Sequence, residues 1–489
     1  MRFMRALALL ALVMLLSGAV LPAAARVEPS ESIWITGGPA DWQAGYSHGL
    51  LTAAGPLILS PHAQAAPVSL GKYNRYGLFD SPIRTLASFR RVQVDYSAHV
   101  PAGSELLVMV RASADGSRWT EWESAQPGAI ISFDRVARYL QYRAALLGND
   151  RSPVLNSVKL TPLPLTESDL QRNALEEPVA PTYRIRATRQ GMVGSRTANG
   201  HVVRYMDRFV SLPSWRSLSS RGGGEYMVRL TNPMNGRSAI APVWDVGPWN
   251  RHDDYWNEDR EWYKDLPLGW PEDHAAFYWG YNGGYAEVSG KVLWAAAVDV
   301  GDGTWTEDLG IDFENEQATL LITFLWKGSD PGPDPEIQPG PPPRDYGDGA
   351  YYVDDLVAGF TLSKSVWFEV KCGHDRHAWW TYSTTDPAQS SHAAIWRPTL
   401  PKDGDYDVWV HVPYCVNWVP DSRDVRYEVH HHWGVDIVSV NQKAEAGRWV
   451  GLGRWHFKAG DAGFVRLADL AGDHGRSVWF DAIKWVPVP

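Results

Sequence analysis

Between Lys327 and Arg344 the chain reads KGSDPGPDPEIQPGPPPR, with seven prolines and almost nothing apolar. Proline has no N–H to give to a helix or a ladder, and its ring fixes φ, so no element can be carried through this stretch. The residues on either side must fold as separate bodies. The stretch itself favours polyproline II and reads as a semi-rigid spacer, up to about 50 Å if fully extended. A softer break, PLPLTESDLQRNALEEPVAP, runs from Pro162 to Pro181. At 489 residues two to four domains are expected. The breaks predict domains at 32–161, 183–326 and 349–489, with linkers at 162–182 and 327–348.

The N-terminus sets the compartment. Arg2 and Arg5 precede an apolar run from Ala6 to Val20, and Ala23 and Ala25 occupy an A-x-A-like cleavage position. Residues 1–25 read as a secretory signal peptide with Arg26 the first mature residue. The run is too short for a membrane span, no cysteine near the cleavage point offers a lipid-anchor site, and no later stretch has transmembrane length. The expected product is secreted or held in the cell envelope, with no membrane association after cleavage. With 46 Lys+Arg against 56 Asp+Glu, the chain lacks the clustered basic charge that nucleic-acid binding needs. The two cysteines, Cys372 and Cys415, can pair in an oxidising compartment or remain thiols.

All three segments read as β. FRRVQVDYSAHV and SELLVMVRAS alternate apolar and polar residues, ADGS (Ala114–Ser117) is an Asp-Gly turn, and RYLQYRAALL suits strand or helix. In the middle segment, EYMVRLTN and AIAPVWD are strands joined by a turn at Asn235-Gly236, and Pro242 demands an edge or a bulge. Arg251 to Lys291 is an insertion rich in Trp, Tyr and acids, with a short helix from Pro271 to Tyr281 stopped by Gly283-Gly284. The last segment carries YDVWVHV, RYEVHHHW, VDIVSVNQ, GRWVGLGRWHF and SVWFDAIKWVPV at β-sandwich spacing.

Three resemblances add to this. SADGSRWTEW, RYLQYRAAL and SPVLNSVKL resemble jelly-roll modules of bacterial cell-wall enzymes. TANG (Thr197–Gly200), SLP (Ser211–Pro213), VRLTNPMNGRS (Val228–Ser238) and VWDVGPWN (Val243–Asn250) occur in the order of the rare lipoprotein A type of double-psi β-barrel. That resemblance places Asp245 on the family's D-x-GP aspartate, and Asp299 of VDVGDG on a later one. RFV stands where the family has Thr-Ala-x-His, Gly301 replaces a serine, and the insertion separates the aspartates more widely. AIWRPTLPKDGDYDVWVHVP, RYEVHHHWG, VSVNQ, GRWVGLGRWHF and WFDAIKW resemble the golvesin C-terminal domain, also called the xanthan-lyase carbohydrate-binding-like domain. The fold expected is mainly β: two sandwiches, jelly-roll or galactose-binding-like, flanking a double-psi barrel.

The barrel resemblance implies lytic transglycosylases, but also expansin-like proteins that bind glycan without cutting it. Asp245 therefore has two readings. As a general acid on a glycosidic oxygen it needs a carboxyl lifted by roughly two pH units, about 2.7 kcal/mol, and burial between Trp244 and Trp249 pushes that way. As a structural residue before Val-Gly-Pro it caps backbone N–H groups. Asp299 is the candidate second carboxylate. With 25 Trp and 21 Tyr in the chain, the expected sugar platforms beside the aspartates are Trp244, Trp249, Tyr255, Trp256, Trp262 and Trp279. His430, His431 and His432 lack an evident third partner, and neither RHDDYWNEDREWYKD nor DVGDGTWTED has the EF-hand order, so no metal site and no cofactor is assigned. No G-x-S-x-G, Walker loop or H-E-x-x-H occurs. The sequence thus predicts a polysaccharide- or peptidoglycan-binding protein, of unstated oligomeric state. Two readings stay open: a barrel that cleaves glycan strands, and a non-catalytic adhesin or wall-organising protein.

Overall fold

The computed structural model describes residues 33–53, 55–63, 70–171, 178–288, 290–363 and 365–489. The signal-peptide expectation for residues 1–25 falls outside them. The protein is mainly β, built from several sheets and one closed barrel.

The first sheet has ten strands and folds over on itself around Trp42, Phe79, Phe89, Val110, Tyr142 and Leu160. Its spine is Ala129–Gly148, which pairs with Arg84–His99 through its first half and with Arg75–Asp80 and Ser104–Ser113 through its second. The ambiguous RYLQYRAALL is therefore strand. It does not alternate because Leu140 to Leu147 are buried on both faces. At Ala114–Ser117 the expected turn forms: Ser113 Oγ accepts from Gly116 N–H at 2.8 Å, and Gly116 takes φ 81°.

The barrel closes in the order Thr182–Gln190, Val298–Gly301, Val210–Leu212, Ser238–Val246, Met227–Thr231 and Gln317–Phe324. Two of its pairings are parallel, Thr182–Gln190 with Val298–Gly301 and Val210–Leu212 with Ser238–Val246. A closed barrel has no edge to receive Pro242. The irregularity appears two residues on, where the register steps from Val210↔Val243 to Ser211↔Asp245 and leaves Trp244 bulged. Downstream, Glu272–Trp279 is helical. Pro271 is its N-cap, and Gly280 ends it at φ 68°, three residues before the Gly pair the sequence suggests.

The last segment forms four-, five- and three-stranded sheets around Trp396, Tyr406, Val408, Tyr427, Phe480 and Trp485. The proline-rich stretch does not hold two bodies apart. Gln338 N–H donates to Thr182 O at 2.8 Å, and Ala358 N–H donates to Pro341 O at 2.8 Å, so the stretch lies along both. The folded parts are also bonded directly. Tyr76, Met109, Trp122 and Leu147 share one apolar cluster with Leu212, Trp215, Tyr226 and Val246. Arg143, fully buried, pairs with Asp80 at 2.6 Å and donates to Leu218 O at 2.8 Å. On the other side, Glu369 accepts from Arg186, from Thr319 at 2.9 Å and from His377 at 2.6 Å. Burial pushes the Glu369 carboxyl up, but Arg186 and His377 outweigh it and hold it down at about 2.

Candidate functional site

Asp245 is the penultimate residue of its barrel strand, and the motifs around it converge. Its Oδ1 accepts from the backbone N–H of Ala198, in the TANG turn, at 2.8 Å and from Val246 N–H at 2.9 Å. Its Oδ2 accepts from Gln190 Nε2 at 3.0 Å. The turn is fixed in place: Thr197 Oγ1 donates to Asn199 Oδ1 at 2.8 Å, and a Cβ on Gly200 would fall 2.4 Å from the Tyr46 hydroxyl. From the N-terminal sheet, the Tyr76 hydroxyl donates to Ala198 O at 2.6 Å and so closes the far side of the same turn. Asp245 is left 3 % exposed. Burial raises its carboxyl to about 6, against the three hydrogen bonds, which pull it down.

Ser211 sits opposite both aspartates, paired with Asp245 on one neighbouring strand and with Asp299 on the other. Two strand spacings separate the carboxylates' backbones, roughly 10 Å. A polar row joins them. Ser211 Oγ donates to Gln190 Oε1 at 2.5 Å, Gln190 holds Asp245, and Thr188, two residues earlier on the same face, donates to Asp299. Asp299 is partly buried. Desolvation raises its carboxyl to about 7, the Thr188 hydroxyl lowers it, and Asp245 and Asp273 add to the rise. Thr188 and Gln190 were not quoted from the sequence, and Ser211 entered only as the first residue of the SLP motif. Their period-two spacing, Thr188 and Gln190 on one strand face, was the available signal. Gly301 is explained by space, since a Cβ there would meet Asp207 O at 2.8 Å and Phe209 at 2.9 Å.

Above Asp299 lies the helix of the insertion, whose N-terminus carries acids locked by hydrogen bonds. Asp253 pairs with Arg260 and accepts Glu272 N–H at 2.7 Å, Asn250 donates to Glu272 at 2.9 Å, and Asp273 accepts Ala296 N–H at 2.5 Å. Burial lifts Asp253 to about 6 and Glu272 to about 7.

The six aromatic candidates do not line one trough. Tyr255 and Trp256 are buried in the apolar cluster between the barrel and the first sheet, and Trp256 Nε1 donates to Glu121 at 2.8 Å. Their expected stacking role gives way to packing, and Glu121, in the loop just before the strand Glu123–Ser124, accepts from both Trp256 and Asn257 of the insertion. Trp244 is wedged between His201 at 4.6 Å and Phe209 at 6.1 Å, and its Nε1 donates to Gly223 O. Trp279 packs on Trp270 at 5.0 Å and against the C-terminal core. Trp249 meets Trp294 edge-on at 5.2 Å. Trp262 stacks on His252 at 4.6 Å and is 45 % exposed, so it keeps one face open.

The most open aromatics lie in the C-terminal sheets, on the loop after Gly404–Val412. Tyr414 is 76 % and Trp418 95 % exposed. Cys415 between them forms a disulfide with Cys372, which settles the open question of pairing. Asn417 Nδ2 donates to Ser477 Oγ at 2.8 Å, and Ser477 N–H donates to Pro420 O at 3.0 Å, so the loop is tied beneath both rings. The histidine run disperses: His430 stacks on Phe464 at 4.0 Å and His431 pairs with Asp436 at 2.9 Å. No helix among the described residues is long and apolar enough to cross a membrane.

Comparison with known proteins matches two segments of the chain. A family described as a domain of unknown function (DUF8814) matches residues 181–321, and the golvesin C-terminal domain matches residues 353–487. Xanthan lyase of Bacillus sp. (strain GL1) is 26 % identical over 137 residues, which is 28 % of this chain and 14 % of that protein. The chain thus spans a small part of that relative's length. Among solved structures, Paenibacillus xanthan lyase aligns over 91 % of this chain and 36 % of its own, with TM-score 0.25 and 12 % identity. The Podospora anserina GH26-CBM35 β-(1,4)-mannanase aligns over 29 % of this chain and 28 % of its own, with TM-score 0.19 and 15 % identity. The C-terminal resemblance read in the sequence therefore has a matching family; the barrel's match carries no activity.

Proposed function

We propose that this is an exported polysaccharide-binding protein whose C-terminal sheets hold the glycan, with a barrel of the double-psi type serving as scaffold. The observation that carries the reading is the tethered loop bearing Tyr414 and Trp418. Two amphipathic rings that project from a loop pinned at Cys415, Asn417 and Pro420 are platforms on which sugar rings stack without an ordering cost. The golvesin match over residues 353–487 and the similarity to xanthan lyase, a protein named for a polysaccharide, lend support. Asp245, sealed and holding three donors, fits the structural reading of that residue. The test is retention of the chain on insoluble polysaccharides and on purified sacculi. Wild type is expected to be retained and a Tyr414→Ala/Trp418→Ala double variant to be released. Equal retention of both would overturn the assignment.

One feature favours a second reading, in which the barrel cleaves peptidoglycan strands. Asp299 is partly open to solvent with a carboxyl near 7, the range a general acid needs, and Asp245 stands across Ser211 from it. Digests of sacculi by wild type, Asp245→Asn and Asp299→Asn distinguish the readings. Anhydro-muropeptides from wild type that vanish with Asp299→Asn would establish cleavage, and their absence from all three leaves the binder.

A further inference from the structure

A knot of carboxylates and imidazoles lies at one end of the C-terminal sheets, beside the disulfide. Asp354 follows the strand Tyr351–Val353, His374 and Asp375 form the turn after Cys372, His411 is the penultimate residue of Gly404–Val412, and Asp481 follows Ser477–Phe480. A carboxylate oxygen of Asp354, a ring nitrogen of His374 and a carboxylate oxygen of Asp375 lie within 4.8 Å of one another. Asp354 Oδ2 is 2.6 Å from His374 Nδ1, and Asp481 accepts His374 N–H at 3.1 Å and pairs with His411 at 2.6 Å. Gly373 is required for this approach, since a Cβ there would meet His377 O at 2.4 Å and Asp481 Oδ2 at 2.9 Å.

One observation shows that the knot is incomplete as an ion-pair network. Asp355, 3 % exposed and in contact with Asp354, gives one oxygen to His377 at 2.7 Å, while its Oδ1 has no donor. Such an atom, buried beside another carboxyl, is costly unless a proton or a cation serves it. Around it Asp354, Asp355, Asp375 and Asp481 face His374, His377, His411 and, at 3.7 Å from Asp375, Arg344, and the Tyr346 hydroxyl donates to Asp375 Oδ2 at 2.5 Å.

We propose that Asp354, His374 and Asp375 hold a divalent transition-metal ion, with Asp355 and Asp481 behind them. One imidazole and two carboxylates make a mixed nitrogen–oxygen set that suits Mn²⁺ or Zn²⁺ better than Ca²⁺, which takes six to eight oxygens. Ligands at about 2.1 Å from such an ion stand roughly 3.0–3.4 Å apart. Loading therefore moves Asp354 slightly away from His374 and draws Asp375 toward both, in competition with the Tyr346 hydroxyl. The proton His374 now shares with Asp354 leaves to solvent as the ion takes its place. Because the turn is joined to the Tyr414–Trp418 loop through Cys372–Cys415, the ion fixes the base of that loop. The site is nonetheless tested without any glycan, so its fate is independent of the functional proposal.

The experiment uses the full tag-free chain, stripped with chelator, dialysed and titrated with MnCl₂, ZnCl₂ and CaCl₂. One equivalent of Mn²⁺ or Zn²⁺ is expected, with ¹⁴N coupling from a single imidazole in the pulsed EPR of the Mn²⁺ form. His374→Gln and Asp375→Asn are expected to weaken binding at least tenfold. Replacing His430, His431 and His432 together with Asn should leave it unchanged. No stoichiometric uptake of either metal by the wild type at millimolar concentration, uptake of Ca²⁺ alone, or loss of uptake in the triple variant would each overturn the proposal, whatever the folding of the single variants.

Discussion

If Asp245 is a structural residue held in an unfavourable charged state, replacing it with asparagine stabilises the protein. Burial raises its carboxyl from an ordinary 3.8 to about 6, a difference of about two units or ~3 kcal/mol. The folded chain binds this proton at higher pH than the unfolded chain does. Between pH 4 and 6 it therefore carries more protons, stability falls as pH rises through that window, and the full cost stands above pH 6. Asparagine removes the charge and can satisfy the same partners. Its Oδ1 takes the N–H groups of Ala198 and Val246, and a flip of Gln190 presents Oε1 to the new Nδ2 and Nε2 to Ser211 Oγ. Calorimetry from pH 4 to 8 should show Asp245→Asn matching wild type near pH 4 and melting higher at pH 7.5. The gain should be at most about 3 kcal/mol, or roughly 6–12 °C for a domain of this size. Asp245→Ala strands three donors and should melt lower at every pH. Taking the difference between wild type and Asp245→Asn cancels the raised acids Asp253 and Glu272, while Asp299, which the Asp245 charge helps to raise, relaxes downward in the variant and contributes in the same direction. An Asp245→Asn variant that melts below wild type at pH 7.5, or a difference that does not change between pH 4 and 6, would refute a buried charge held at a cost.

Trp418→Ala should weaken glycan binding by about 2 kcal/mol, roughly thirtyfold, the worth of one indole face of about 80 Å² at 25 cal/mol per Å²; affinity electrophoresis reads it. Cys372→Ser with Cys415→Ser opens a bridge of sequence separation 43, and the chain-entropy argument puts the loss at up to about 4 kcal/mol, seen as a lower C-terminal melting transition. Arg143→Met leaves Asp80 buried without its cation and should cost about 3–5 kcal/mol, most of it recovered by adding Asp80→Leu; denaturant titration of the two variants checks both.

Strands were legible where one face is buried and one wet, as in FRRVQVDYSAHV, because that alternation is local. RYLQYRAALL was not, since burial on both faces erases the period. The sequence offered Asp245 as a cap on backbone N–H groups, but it named neither Ala198 of the TANG turn as a donor nor the side chains that bond the aspartates: Gln190 and Thr188 belong to a strand quoted for no motif. The aromatics were least legible. Whether an indole packs or projects depends on what meets it from elsewhere in the chain. Glu121, in SRWTEW, lies 135 positions from Trp256 yet bonds its Nε1. Trp418 carries no such signal in its own segment, and only the fold shows it exposed, on the loop that Cys415 ties to Cys372.

The joints between the parts bear on where a ligand can sit. The barrel face that carries Thr188, Gln190, Ser211, Asp245 and Asp299 is roofed at one end by the TANG turn under Tyr76 and flanked at the other by the helix bearing Asp273. Arg216 reaches from the barrel to Glu123 of the first sheet, and Arg186 reaches to Glu369 of the last. These are buried or half-buried charges whose partners lie on a neighbouring part, so separating the parts would expose unpaired ions and apolar surface together. The barrel's polar outer face thus serves first as a joint, and a glycan strand would have to displace paired groups to lie along it. The loop of Tyr414 and Trp418 asks for no such displacement. That difference in cost, more than any resemblance, is the argument for binding at the C-terminal end.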